Sequence, residues 1–162
     1  MKQGVPGIVA ALSNPGVLHF RLEFAFQFNR GVFVNLQTKQ DEIARCVVDM
    51  TSEFLCQIDM NLTEGSARSL VQSISEKMDN EVVMNNGSKF IALQVVMYVA
   101  KNAKINKEYD ALCMLALSVA WGAKVYLEDR SLPVSEIRFV EKLKSDALQL
   151  VAENKKFVKS QV

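Results

Sequence analysis

One histidine, His19, and three cysteines, Cys46, Cys56 and Cys113, are the side chains best suited to act as a base or nucleophile near neutral pH. A single imidazole excludes two-histidine acid–base schemes, and His-based triads that need a second histidine. It also removes most metal sites, which draw on several His or Cys ligands. His19 stands between Leu18 and Phe20 and reads as a half-exposed residue on the polar side of a strand. Cys46 and Cys56 are about 80° apart around a helix of ~3.6 residues per turn, so they can share a broad face. Neither has a histidine or a basic cluster beside it in sequence, and a cysteine nucleophile needs such a base. Cys113 falls in the most apolar stretch of the chain, where a thiol behaves as a small hydrophobe. No C-x-x-C spacing occurs, so neither zinc nor any other metal is expected.

Carboxylates pair at Asp41–Glu42, Glu108/Asp110 and Glu128–Asp129. A carboxylate catalyst or a magnesium site needs acids that converge in a pocket. These pairs lie beside expected helix ends, and acids at helix N-termini are expected from the dipole alone. The chain contains neither G-x-x-x-x-G-K nor G-x-G-x-x-G, so no phosphate-cradling loop or cofactor site is expected. No residue is assigned a catalytic role.

Lysines offer a different chemistry. Lys101, Lys104 and Lys107 are spaced to line one side of a helix end, and Lys142, Lys155, Lys156 and Lys159 add charge further on. Clustered ammonium groups can contact phosphates. Lysines near helix C-termini are also expected on capping grounds, and arginines number only six. The net charge of +1 provides no overall field for nucleic acid or anionic lipid. That neutrality is uneven: nine acids face three bases from Asp41 to Glu81, whereas four lysines and no acid fall between Lys89 and Lys107.

These residues need a scaffold. At 162 residues with 49% hydrophobic and 23% charged side chains, the chain suits one globular domain with its own core. The odd cysteine count and the weak apolar run at the start point to reduced thiols and a cytoplasmic location. The most apolar run, 111–123, is too short for a membrane-spanning helix of roughly 20 residues, so no membrane association is expected.

Residues 1–17, with Gly4, Pro6, Gly7, Asn14, Pro15 and Gly16, read as an irregular N-terminal segment. In LHFRLEFAFQF, Leu18, Phe20, Leu22, Phe24, Phe26 and Phe28 alternate with mostly polar residues, a strand pattern. Asn29-Arg30-Gly31 then suits a hairpin loop, which makes 18–37 an antiparallel hairpin with Phe28, Phe26 and Phe24 facing Val32, Val34 and Leu36. Leu18, Phe20 and Leu22 would overhang this pairing, and an unpaired edge invites a strand from another chain. Val82–Met84 is a candidate third strand.

From Thr38 onward the spacing is helical. One helix carries Ile43, Val47, Met50, Phe54 and Ile58, and a second carries Leu70, Val71, Ile74 and Met78. A third spans 90–100 after a cap at Ser88. A fourth, from about 107 to 127 after a cap at Asn106, is apolar on nearly every side and belongs at the centre. A fifth follows Pro133.

The expected architecture is α+β, a hairpin of two or three strands packed on four to five helices. The expected function is non-catalytic: a small intracellular protein that self-associates through Leu18, Phe20 and Leu22 and acts by binding another macromolecule, most naturally a protein. The alternative is a nucleic-acid-binding protein using Lys101, Lys104 and Lys107. A third reading is a small enzyme whose site is assembled from scattered acids and a thiol.

Overall fold

Leu36, Ile43, Val47 and Leu55 recur at helical intervals, and all four are buried. They define the inner stripe of a long first helix, α1 (Arg30–Leu55), which a 3-10 turn over Cys56–Ile58 extends. The computed structural model describes residues 30–158. Five more helices follow: α2 (Glu64–Ser75), α3 (Asn80–Asn85), α4 (Ser88–Ile105), α5 (Tyr109–Tyr126) and α6 (Val134–Asn154), the last continued by a 3-10 turn over Lys155–Phe157. No strand occurs among the described residues.

The described residues therefore form a helical bundle, not the expected α+β arrangement. Val32, Val34 and Leu36, assigned to the second arm of a hairpin, lie in the opening turns of α1. Three alternating apolar residues are too few to separate the two periods. Leu36 stands seven residues before Ile43, so it also belongs to the helical stripe that follows, and burying that stripe decides the outcome. The first arm, 18–28, and the irregular segment 1–17 lie outside the described residues. With 32–36 helical, the ladder that would have left Leu18, Phe20 and Leu22 overhanging has lost its partner strand. Val82–Met84 forms the middle of α3, not a third strand. Asp79 caps that helix by accepting from the Glu81 N–H at 3.0 Å, and Val83 is fully buried.

Other boundaries follow ordinary capping chemistry. The Thr63 hydroxyl accepts from the Ser66 N–H at 3.1 Å to open α2. α4 starts after Gly87, which frees Ser88 to donate to Glu42 at 2.9 Å and tie α4 to α1. At the other end of α4 the Lys107 N–H donates to the Lys104 carbonyl at 3.1 Å and the Glu108 N–H to the Ala103 carbonyl at 2.9 Å. That pair of bonds is a Schellman closure, with Lys107 in the left-handed region at φ 59°. Asn106 thus ends α4 and does not cap α5, which begins at Tyr109.

α5 lies at the centre, packed against α1, α4 and α6. Its Leu112, Leu115 and Val119 are buried with Ile91, Val95 and Val96 of α4, Ile43 and Val47 of α1, and Val140 of α6. α6 runs antiparallel to α5 and is pinned at both ends. Near its start Glu136 accepts from the Tyr126 hydroxyl, and past its end Phe157 stacks on Tyr109 with ring centroids 4.7 Å apart. On the other side α2 is tied to α1 by the buried bond from the Gln40 amide to the Ser75 hydroxyl, 2.9 Å.

Candidate functional site

α1 and α4 run in the same direction, with Glu42 against Ser88, and α5 returns between them. Gly122 of α5 sits where the three helices meet. A Cβ there would lie 3.0 Å from Leu93 Cδ2 and 3.4 Å from Met50 Cε, so glycine lets both side chains close under the helix. Above this floor lies an open groove of about 550 Å³. α1 contributes Cys46, Asp49, Met50, Glu53 and Phe54. α4 contributes Lys89 and Leu93, α5 contributes Trp121, Val125 and Tyr126, and the α5–α6 connection contributes Asp129 and Leu132. The volume lies within the ~300–1,000 Å³ typical of ligand pockets.

Trp121 is 56% exposed, and Val125 beside it is also exposed. Lys124 holds its ammonium 5.3 Å from the centre of the indole ring, a cation–π contact on the solvent side. One wall is stiffened by an aromatic cluster, in which Phe90 touches Tyr126 at 6.2 Å and Phe139 at 5.3 Å between centroids. The connection after α5 is fixed by Asp129, whose carboxylate accepts from both the N–H (2.9 Å) and the hydroxyl (2.6 Å) of Ser131. Those two bonds hold the Asp129 carboxyl below the usual aspartate range.

The rim is acidic. Asp49, Glu53 and Asp129 are exposed, and none is in an ion pair among the described residues, whereas Lys89 is the one cationic residue in the lining. Cys46 lies between α1 and α4, and burial pushes its thiol above the ordinary range. The nearby Lys89 ammonium opposes that shift, while Asp49 and Glu42 add to it. The thiol therefore stays protonated near neutral pH, the opposite of an activated nucleophile. No group of three or more His, Cys, Asp or Glu side chains that could hold a metal occurs among the described residues.

The residues singled out from sequence are scattered. Asp41 pairs with Arg68 of α2 at 3.1 Å and Glu42 accepts from Ser88, so these acids tie helices together within α1 and do not cap its start. Asp110 does lie in the first turn of α5. Cys56 is exposed and Cys113 buried, both apart from the groove. Lys101, Lys104 and Lys107 are exposed together at the α4–α5 corner, without an ion pair among the described residues. The Tyr109–Phe157 contact brings Lys155 and Lys156 toward the same end, while Lys142 is engaged with Asp146 at 3.0 Å. Leu18, Phe20, Leu22 and His19 lie outside the described residues.

The groove itself was not anticipated. Its lining comes from positions 46 to 132 on three helices and a connection, and in the middle of α5, apolar on nearly every side, nothing distinguishes Trp121 from core. The available signal was Asp49 and Glu53, like charges one helical turn apart, interleaved with Met50 and Phe54.

Together these features define, among the described residues, a helical bundle with an open, acid-rimmed groove. Compared with protein-family profiles, with curated proteins and with solved structures, the chain matches none. No helix among the described residues is long and apolar enough to cross a membrane.

Proposed function

We propose that this is a non-catalytic intracellular binding protein whose groove takes a basic polypeptide segment bearing an apolar anchor. The observation that carries this reading is the pairing of an apolar floor (Met50, Phe54, Leu93, Trp121) with a rim of three carboxylates. Half-exposed tryptophans in apolar clefts are typical binding hot spots, and rim charges select the sign of the partner. Docking of an amphipathic segment into a groove between helices is a recurrent recognition mode. The protonated Cys46 supports binding over nucleophilic chemistry at the same place. Three free thiols suit a reducing compartment.

The nucleic-acid reading gains one observation, the convergence of Lys155 and Lys156 on the end that carries Lys107. It loses weight because Lys142 is already paired and Glu108 and Glu153 share that end.

Trp121 is the only tryptophan in the chain, so its emission reports the groove directly. Titration with a short amphipathic lysine–leucine peptide is expected to give a saturable blue shift, and an equally apolar glutamate–leucine peptide none. Glu53→Gln with Asp129→Asn should weaken binding about two- to thirtyfold, from ~0.2–1 kcal/mol per exposed ion pair. Equal binding of both peptides, or no shift with either, would overturn the reading.

A further inference from the structure

We infer that the basic segment taken by the groove is the α4–α5 corner of a second copy of this chain, so that molecules join head to tail. This rests on the groove reading above and names its occupant.

Ile105 is 78% exposed, more than any other large apolar side chain among the described residues. It ends α4 with the exposed Lys101, Lys104 and Lys107 around it, an apolar tip within a ring of cations. The Schellman closure fixes the corner before binding, so little conformational freedom is lost when it docks. The groove offers the complement, an apolar floor with Trp121 on one side and the Asp49, Glu53 and Asp129 carboxylates at its rim.

α4 contributes to both surfaces. Leu93 lies under the groove and Ile105 ends α4 twelve residues later, about 18 Å along the axis at ~1.5 Å per residue. A rigid helix cannot fold its last turn onto its first, so the corner can fill only another molecule's groove. Two different surfaces meeting in this way form a heterologous contact, which gives either a ring or an open chain. One corner in one groove buries less than the ~1,200 Å² of a standard interface, which places the contact in the weak, transient class. Its charge component makes it sensitive to salt.

The test uses two full-length variants altered only at exposed positions, with folding checked by circular dichroism. Lys104→Ser with Ile105→Ser removes the corner and keeps Trp121. Glu53→Gln with Trp121→Ser removes the groove and leaves a chain without tryptophan. The wild type should show a mass in light scattering that rises with concentration and falls with salt, while each variant alone stays monomeric. Mixed, the two should form a one-to-one complex and no larger species. The emission of the first variant should shift to the blue as the second fills its groove.

A wild type that is monomeric at every concentration, while the lysine–leucine peptide still shifts Trp121, would overturn the inference and leave the groove reading standing. A peptide that also fails would remove both. Association unaffected by the corner variant would place the contact elsewhere, Leu18, Phe20 and Leu22 being the first residues to examine. A red shift of Trp121 in monomeric Leu18→Ser, Phe20→Ser, Leu22→Ser chains would put the chain's own segment in the groove. Retention of a monomer on heparin, lost in Lys104→Ser, would assign the corner to nucleic acid. Each of the last three results overturns the proposal.

Discussion

Cys46 shows how position sets the chemistry of a single side chain. A thiol between two helices loses solvation as a thiolate, and the Lys89 ammonium only partly offsets that loss. Its pKa in the folded chain is raised, so the native state holds the proton where the unfolded chain releases it. The stability contribution of the thiol is therefore fully present below the ordinary thiol value and is lost as pH rises through the folded value. The same shift governs reactivity. Under N-ethylmaleimide with peptide mapping, the exposed Cys56 should label readily, whereas Cys46 should label slowly, with a pH midpoint above that of a free thiol. Labelling of Cys46 at neutral pH as fast as that of Cys56 would contradict a desolvated, protonated thiol.

Elements are set by local rules wherever those rules are strong. Two helical segments close with a Schellman pair of hydrogen bonds on a residue other than glycine. Lys107 sits at φ 59°, and Asp59, at φ 56°, closes the turn after α1 with bonds from Asp59 and Met60 to the Cys56 and Leu55 carbonyls at 3.1 and 3.0 Å. A side chain in the left-handed region costs roughly 1–2 kcal/mol that glycine avoids. Replacing Lys107 by glycine is therefore expected to raise unfolding free energy by about 1 kcal/mol in urea titrations, after the larger chain entropy of unfolded glycine is set against the relief. A loss of stability would mean that the lysine makes a compensating contact. A boundary legible in sequence was the one marked by proline, Pro133 immediately before α6. Asn106 was assigned to the wrong helix because an asparagine there suits either the end of one helix or the start of the next. The hairpin over 18–37 is overturned for a similar reason: Leu36 continues the alternation of Val32 and Val34 but also stands seven residues before Ile43 in the helical stripe, and its burial there chooses between them.

At the scale of the molecule, α6 closes the bundle through a contact near each of its ends, Tyr126 with Glu136 and Tyr109 with Phe157. The ring pair should couple the end of the chain to the start of α5. A double-mutant cycle of Tyr109→Leu and Phe157→Leu is expected to yield a coupling energy of about 0.5–1.5 kcal/mol. A coupling near zero would show that the two residues stabilise the fold independently. The same contact explains why Lys155 and Lys156, distant in sequence from Lys101, Lys104 and Lys107, approach the same end of the bundle.

Taken alone, the sequence established that most of the chain beyond Thr38 is helical and that the stretch from about 107 to 127 is buried deeply enough to be central. It also excluded schemes that need two histidines, since the chain has one; these properties depend on residue type and short-range period. It did not establish the absence of strands over 32–36 and 82–84, nor the groove. Those depend on which apolar stripe finds a partner, and on how three helices meet at Gly122, a relation between elements that no local pattern encodes.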